Sequence, residues 1–263
     1  LAKGLRPLAW RFINTWAART GDYEGLTLLR LYAAYRALVR AKVALLAGGK
    51  LAEFTAYWRL ALRLVAVPPR PRMVLAMGLS GSGKSVAAQF IAEGLGAVCL
   101  RSDVERKRLH GLAPTARPAP ALDLYSAQAT RHTYARLAAL AERLLQGGLS
   151  VVVDAASLRQ DERDTLLTLA SRLGVAFTLV ECRATEATLR RRVAERALAG
   201  ADPSDATLAV LEMQQGIQKP VPADWAPWHV VLVNDGSLVE LREKTQALVA
   251  TWSDDNRDRP GNS

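Results

Sequence analysis

The sequence is poor in the side chains that form disulfides or bind transition metals. Among its 263 residues there are only two cysteines and three histidines. The cysteines lie in separate apolar runs, and the histidines share no metal-ligand spacing. These shortages argue against a disulfide framework and against a protein-built zinc site, and they indicate a chain that works in a reducing, cytoplasmic compartment.

Long apolar runs are also missing. Half of the residues are hydrophobic. However, charged side chains such as Arg30, Arg36 and Arg40 interrupt each apolar stretch before it reaches the length of a membrane-spanning helix, which needs about 18 residues. The sequence therefore predicts a globular protein without a membrane partner. Its first residue is Leu1 rather than methionine, so we interpret the chain as a fragment of a longer protein.

Acidic residues are scarce in the first quarter of the chain. Residues 1–72 hold 13 Lys and Arg but only 3 Asp and Glu, which accounts for the whole net charge of +10 and leaves residues 73–263 without net charge. A basic helical surface can bind nucleic acid or anionic lipid. A solvated surface, or one that faces an acidic partner domain, is the simpler interpretation.

The chain divides into a helical segment and a larger part in which strands and helices alternate. The apolar pattern before residue 66 predicts two amphipathic helices. The stretch "VPPRPR" then marks a boundary, because prolines end a helix and stiffen a short linker. The predicted organisation is a helical segment at residues 1–68, a linker at 69–72, a main domain at 73–252 and a flexible tail at 253–263.

Beyond the linker, short apolar runs predict β-strands at residues 73–77, 97–100, 150–153, 176–182 and 229–233. Helical patterns fill the intervals and begin near residues 84, 104, 122, 161, 185, 205 and 237. Strands separated by helices imply right-handed crossovers and a mainly parallel sheet that is covered on both faces. The predicted fold class is therefore α/β, with a five-stranded sheet flanked by helices and preceded by a small all-α segment.

A glycine-rich loop follows the first predicted strand. The stretch "GLSGSGKS" matches the P-loop pattern G-x-x-x-x-G-K-[ST], in which glycines let backbone N–H groups approach phosphate oxygens. We expect Lys84 to reach the β- and γ-phosphates and the Ser85 hydroxyl to bind Mg²⁺. The predicted nucleotide-binding residues are Gly78, Ser80, Gly81, Ser82, Gly83, Lys84, Ser85 and Val86. The motif and its position predict the P-loop NTPase fold.

An Asp-x-x-Arg pair follows the second predicted strand, in "LRSDVERKRLHG". Ligands of open α/β sheets bind at the carboxyl ends of the strands, and this is where Asp103 lies. With Arg106 one helical turn further, the pair offers a base for an acceptor hydroxyl and a guanidinium that can hold a phosphate or the acceptor. Alternatively, "SD" is only a helix N-cap and "ERKR" only a solvated face.

The order of strand, P-loop, strand, Asp-x-x-Arg and arginine-rich helix resembles the P-loop kinases of small molecules or nucleic-acid ends. This group includes gluconate kinases, zeta toxins, chloramphenicol phosphotransferases and polynucleotide 5′-kinases. The stretches "SDVERKRLHG" and "SDATLAVLEMQ" are similar to a bacterial family of such kinases that is often fused behind an aminoglycoside-phosphotransferase-like domain. In that family, residues 1–66 would correspond to the last helices of the phosphotransferase-like domain.

This resemblance implies roles for individual residues. Asp103 would be the acceptor-side base, and Asp154 would bind Mg²⁺ through water or contact the acceptor. Arg192 and Arg196 would close over the transferring phosphoryl group as part of a mobile lid, unless the helix is simply exposed and arginine-rich. From the topology alone, Asn234 and Asp235, which end the last predicted strand, would border the adenine.

Other family features leave alternatives open. Family members more often have threonine where this sequence has Ala156. The segment at residues 111–122 would be an acceptor-specificity loop or a spacer.

The predicted function is an ATP- and Mg²⁺-dependent kinase that acts on a hydroxyl of a small molecule. ATP is implied by the resemblance, and the guanine-reading motif Asn-Lys-x-Asp does not occur in the sequence. A nucleic-acid partner is disfavoured because residues 73–263 carry no net charge and have few aromatic residues between 78 and 215. The alternatives are a polynucleotide 5′-kinase or toxin-like sugar-nucleotide kinase, and an ATP-binding regulatory module of the phosphotransferase-like domain.

Overall fold

A parallel β-sheet organises the fold. A computed structural model describes residues 4–48, 50–66, 70–116, 124–199 and 207–254. Its strands are β1 (Arg72–Met77), β2 (Val98–Arg101), β3 (Val151–Asp154), β4 (Ala176–Arg183) and β5 (His229–Val233). They pair in the order β2-β3-β1-β4-β5, and each described pairing is parallel. The predicted fold class is confirmed.

Helices precede the sheet and connect its strands. Their bounds are α1 (Arg6–Thr20), α2 (Leu29–Leu46), α3 (Leu51–Val65), α4 (Lys84–Leu95), α5 (Ser102–Leu109), α6 (Ala127–Gln146), α7 (Gln160–Leu173), α8 (Glu186–Ala199), α9 (Leu208–Ile217) and α10 (Leu238–Asp254). Short 3₁₀ helices cover Glu24–Leu28 and Ala223–Trp228. None of the described helices is both long and apolar enough to cross a membrane.

Several expectations fall on residues that the structure does not describe. They concern the end of the predicted helical segment with the first residue of the predicted linker (67–69), and much of the predicted acceptor loop with the first residues of the predicted helix from 122 (117–123). They also concern the start of the predicted helix from 205 (200–206) and most of the predicted tail (255–263). Helix α6 is described from Ala127 and helix α9 from Leu208.

The core has two layers because side chains alternate along the central strand. Met73, Leu75 and Met77 point to one face of the sheet, where α1, α6 and α7 pack. Val74 and Ala76 point to the other face, where α4 and α10 pack. Burial on both faces explains why the strands appear in the sequence as continuous apolar runs rather than as alternating patterns.

Helix α1, which the sequence analysis did not predict, belongs to this core. Trp10 and Ala17 are buried in the same cluster as the sheet. Arg11 forms a bidentate ion pair with Glu93 of α4, with N–O distances of 2.7 and 3.0 Å. The predicted domain boundary at residues 69–72 stays a prediction, but α1 packs on the main domain.

Asn14 of α1 closes the outer edge of the sheet. Its Nδ2 donates to the Ala97 carbonyl at 3.0 Å, and its Oδ1 accepts from the Cys99 N–H at 2.9 Å. One side-chain amide thus replaces a neighbouring strand beside β2, which satisfies backbone groups that an edge strand leaves unpaired.

Unlike the core around the sheet, the α2–α3 hairpin buries small apolar side chains and exposes large ones. The two helices pack through small residues, which are Ala34, Ala37, Ala41, Ala44 and Ala61. Most of their large apolar side chains are 43–76 % exposed, namely Leu31, Tyr32, Tyr35, Leu38, Val43, Leu45, Leu46, Leu51, Trp58, Leu62 and Val65. The hairpin therefore presents an extensive apolar surface to solvent.

Replacement of Asn14 tests the edge contact. We expect Asn14→Ala to lower the free energy of unfolding by about 1–3 kcal/mol, because it leaves two backbone groups of the edge strand without their partner. The measurement is urea unfolding. Thr15→Ala is the matched control, since its hydroxyl bonds only to the Arg11 carbonyl of its own helix. Equal stability of the two variants would contradict the proposed role of Asn14.

Candidate active site

The P-loop connects β1 to α4 and turns through three glycines. Gly78, Gly81 and Gly83 have φ values of 146°, 84° and 87°, which side chains other than glycine rarely adopt. A Cβ at Gly81 would also lie 2.7 Å from the Leu189 carbonyl oxygen of α8. The loop therefore requires glycine both for its backbone conformation and for its close contact with α8.

Contacts from distant parts of the chain fix the loop. Asn234 at the end of β5 is buried, and its Nδ2 donates to the Ser82 carbonyl at 2.8 Å. The Gly78 N–H donates to the Ala156 carbonyl at 3.3 Å. The expectation that Asn234 borders the adenine stays a prediction, and the structure adds that its amide group supports the P-loop.

A cavity of about 330 Å³ lies beside the loop and brings together several predicted site residues. Its lining includes Ser80 and Lys84 of the P-loop region and Asp103 and Arg106 of α5. The other lining residues are Ser102, Tyr125, Ala127, Thr130, Tyr134, Ala156, Leu158, Arg159, Glu162, Val210, Met213, Gln214 and Ile217. Its volume is at the lower end of the range for small-molecule sites.

Asp103 and Arg106 form an ion pair at this cavity. Arg106 Nη1 donates to Asp103 Oδ1 at 3.2 Å, and the guanidinium carbon lies 4.7 Å from the ring centre of Tyr125. Arg106 is only 8 % exposed, and its Nε has no hydrogen-bond partner among the described residues. A buried donor without a partner is costly in free energy, so this atom is suited to bind a ligand oxygen.

The two alternative explanations of "SDVERKR" are wrong. The N-cap of α5 is Arg101, so neither Ser102 nor Asp103 caps the helix. Glu105 and Lys107 are buried, with 0 % and 2 % exposure, so the segment is not a solvated face. The Glu105 carboxylate accepts hydrogen bonds from Arg108 and Arg136 instead.

The predicted metal-binding residues lie outside this cavity. Asp154 ends β3 and is 4 % exposed, and its Oδ2 accepts from Arg101 Nε at 3.2 Å. Its Oδ1 is buried and makes no hydrogen bond within the described residues. Ser85 and Val86 line a second cavity, of about 320 Å³, together with Arg101 and residues of α1. The placement of Ser85 and Asp154 at a metal stays a prediction.

The arginines of α8 divide between two environments. Arg192 donates to the carbonyls of Asn234 at 2.8 Å and Gly236 at 3.1 Å, beside the P-loop but outside the cavity with Asp103. Arg190 and Arg191 form ion pairs with acidic side chains of α8 and α9. Arg196, one turn beyond Arg192, is half-buried. The lid role of Arg192 and Arg196 stays a prediction.

Burial makes the thiol groups of both cysteines unreactive. It raises the pKa of Cys99 to about 12, with a further increase from the nearby Asp154 carboxylate, and it raises the pKa of Cys182 to about 12. Both thiols therefore stay protonated near neutral pH.

Sequence reasoning missed several polar residues of the cavity. Tyr134 lines the cavity, and its hydroxyl accepts a hydrogen bond of 2.9 Å from the backbone N–H of Ser157, a buried non-glycine residue with a φ of 48° that is not part of the lining. Glu162 also lines the cavity, and burial raises the pKa of its carboxyl group. Gln214 reaches the P-loop from α9, where its Oε1 accepts from the Ser80 N–H at 2.8 Å. Tyr134 and Glu162 lie in no motif, and although Gln214 ends the family-like stretch "SDATLAVLEMQ", nothing in that stretch indicates its contact with the P-loop, because these residues meet only through the tertiary fold.

Comparison with known proteins agrees with this geometry. The family model AAA_33, described as an AAA domain, matches residues 73–220. The chain belongs to the AAA_33 family. This region contains the P-loop and all lining residues of the cavity beside Asp103.

Curated relatives of this AAA_33 protein are longer than the chain. The uncharacterized protein Rv2004c of Mycobacterium tuberculosis strain H37Rv is 29 % identical over 232 residues. The match covers 86 % of this chain and 45 % of the relative, and a protein of Mycobacterium bovis matches equally. The chain thus spans about half the length of these relatives.

A solved kinase structure shares the fold of this AAA_33 protein. The APS kinase CysC of Mycobacterium tuberculosis, in complex with AMPPNP and APS, has a TM-score of 0.53 and 25 % identity. This similarity covers 71 % of the chain and 99 % of that kinase. A gluconokinase of Sinorhizobium meliloti 1021 has a TM-score of 0.48 and 22 % identity over 72 % of the chain and 97 % of its own. Fold and family together support a nucleotide-dependent kinase.

Replacement of Lys84 tests the P-loop of this AAA_33 protein. We expect Lys84→Ala to weaken the binding of AMPPNP at least about tenfold, because it removes the cation that is expected to reach the β- and γ-phosphates. Calorimetric titration measures the affinity, and the melting temperature should hardly change because the side chain lines a cavity. Lys219→Ala, at an exposed position, is the control. Unchanged affinity in Lys84→Ala would contradict the assignment.

Proposed function

We propose that this AAA_33 protein is an ATP- and Mg²⁺-dependent kinase that transfers the γ-phosphate to a hydroxyl group of a small molecule. The observation that carries the proposal is the shared cavity of Lys84, Asp103 and Arg106. A nucleotide switch would need the P-loop lysine but has little use for a carboxylate and an unpartnered guanidinium nitrogen beside it. A kinase needs both in one cavity.

The proposed reaction is an in-line displacement at the γ-phosphorus. Asp103 accepts the proton of the acceptor hydroxyl while the hydroxyl oxygen bonds to the γ-phosphorus. The bond between the γ-phosphorus and the β–γ bridging oxygen breaks, and ADP leaves with that oxygen. Arg106 keeps the Asp103 carboxylate in place, since the two are 3.2 Å apart, and its Nε donor, which has no hydrogen-bond partner among the described residues, can bind the acceptor. Lys84 neutralises charge on the transferring group.

Two residues of the chain suit a magnesium ion. Ser85 would supply a hydroxyl ligand, and Asp154, whose buried Oδ1 lacks a partner among the described residues, would bind the ion through water. The described residues contain no group of three or more acidic, cysteine or histidine side chains at metal-binding distance, so phosphate and water oxygens would complete the coordination. When bound, the ion offsets phosphate charge.

Arg192 and Arg196 are our proposed lid arginines. Both lie on α8, whose Leu189 contacts the P-loop at Gly81. In this structure Arg192 holds the carbonyls of Asn234 and Gly236. To reach the γ-phosphate it would have to release these carbonyls, so the proposal implies a rotation of the side chain or of the helix on nucleotide binding.

A small-molecule acceptor is favoured over a nucleic-acid end. The cavity volume of about 330 Å³ suits a small ligand. The APS kinase that shares the fold was solved with AMPPNP and APS, so ATP and a small hydroxyl compound are the first candidates for this chain. A polynucleotide 5′-kinase remains the alternative within the same reaction class.

The proposal also includes a partner domain and a location. The exposed apolar surface of the α2–α3 hairpin and the greater length of the curated relatives support an N-terminal phosphotransferase-like domain that packs on this hairpin in a longer protein. The two buried free cysteines suit the cytoplasm.

A label-transfer screen tests the function. The protein is incubated with γ-labelled ATP and, separately, with gluconate, APS, other sugar and polyol hydroxyl compounds, and oligonucleotides with a free 5′-hydroxyl. We expect label on at least one small molecule. Label on oligonucleotides alone would support the polynucleotide alternative. Slow ATP hydrolysis without transfer to any compound would instead favour a regulatory module.

Replacement of Asp103 tests the mechanism. We expect Asp103→Asn to slow transfer by roughly 10²–10⁴, the usual contribution of general acid–base catalysis, with AMPPNP affinity within about threefold of the wild type. Asp161→Asn, at an exposed position on α7, is the control. A much lower melting temperature together with lost nucleotide binding in Asp103→Asn would show that Asp103 is structural.

A further inference from the structure

Helix α9 contacts the P-loop through one polar side chain. Gln214 Oε1 accepts a hydrogen bond of 2.8 Å from the backbone N–H of Ser80. Ser80 is 2 % exposed, and Gln214 is half-buried at the wall of the cavity that also contains Lys84. The contact therefore joins the phosphate-binding loop directly to the cavity.

The loop determines which way the Gln214 amide group faces. A backbone N–H can only donate, so the atom that it contacts must be the carbonyl oxygen of Gln214 and not its NH₂ group. The Nε2 donor is thereby turned away from Ser80, and it forms no hydrogen bond in the part of the chain that the structure describes. A donor of fixed orientation thus remains available at the cavity wall.

Attachment of α9 does not require this hydrogen bond. Leu211 of α9 is buried against Leu189 and Val193 of α8, and the P-loop residue Leu79 packs on the same cluster. Apolar contacts already hold α9 against the loop, so the position of the helix does not depend on the side chain at 214, and the Oε1 atom of Gln214 serves only the buried Ser80 N–H. The glutamine offers what those contacts cannot, a hydrogen-bond donor beside Lys84.

We propose that Gln214 binds the transferring phosphoryl group, with Oε1 held by the Ser80 N–H and Nε2 donating to an oxygen of the γ-phosphate. The inference rests on the proposed function, because it takes Lys84 to hold the γ-phosphate at this end of the cavity. Gln214 lies on α9, which packs on α8, the helix of the proposed lid arginines. It therefore connects these helices to the P-loop.

Nucleotide binding without an acceptor tests the proposal. We expect Gln214→Glu to weaken AMPPNP binding about tenfold or more and ADP binding less than about twofold, because a carboxylate removes the donor to the γ-phosphate and repels this nearest phosphate more strongly than the more distant β-phosphate of ADP. Gln214→Met should weaken AMPPNP binding about threefold without repulsion. Gln215→Glu is the matched control, since Gln215 is the next residue, is exposed and lines a different cavity.

The outcomes separate this inference from the proposed function. Wild-type protein that binds both nucleotides, with an unchanged AMPPNP-to-ADP ratio in Gln214→Glu, would overturn the role of Gln214 alone. An equal loss of both nucleotides together with a lower melting temperature in both variants would make the contact structural and overturn the proposal as well. Wild-type protein that binds neither nucleotide would overturn the P-loop function and this inference together.

Discussion

The site depends on a backbone loop that must keep its N–H groups turned towards phosphate. Glycine permits this conformation at residues 78, 81 and 83, but it does not hold the loop in it, because glycine can adopt more backbone conformations than any other residue. Contacts with other parts of the chain hold the loop in place. Asn234 binds the Ser82 carbonyl, the Ala156 carbonyl accepts from Gly78, and Gln214 accepts from Ser80. These partners come from the end of β5, from the segment that follows β3, and from α9. The conformation of the loop therefore depends on the order of the strands in the sheet.

The helix that carries Asp103 is fastened from the opposite direction. Arg108 of α5 contacts the buried Glu105 and donates to the Ala18 carbonyl of α1 at 2.6 Å. Its guanidinium also lies over the Tyr23 ring, with 5.8 Å between the guanidinium carbon and the ring centre. The position of α5, and with it that of Asp103 at the cavity, therefore depends on residues near the beginning of the chain.

Local pattern accounts for what the sequence predicted well. The P-loop is contiguous, its strand is an apolar run, and the Asp-x-x-Arg pair needs only one helical turn, so each could be inferred from neighbouring residues. Helix α1 was missed because exposed Phe12 obscures the apolar face formed by Trp10 and Ala17. Its end signals, a proline in the first turn and Gly21 as a left-handed C-cap, were present in the sequence. Gln214 ends the family-like stretch "SDATLAVLEMQ", but neither its contact with the P-loop nor that of Asn14 with the sheet edge had a signal in the sequence, since each side chain contacts residues more than 80 positions away.

The region that identifies the family is smaller than the unit that folds. The family match covers residues 73–220, yet the amide that supports the P-loop belongs to Asn234 and the amide that closes the sheet belongs to Asn14. A polypeptide trimmed to the matched region would keep every residue of the cavity beside Asp103. It would lose β5, which pairs with β4, and Asn14, which covers β2, so both edges of the remaining sheet would lack the neighbours that now cover them. Uncovered edges pair with other chains, so trimming by homology would favour self-association over solubility.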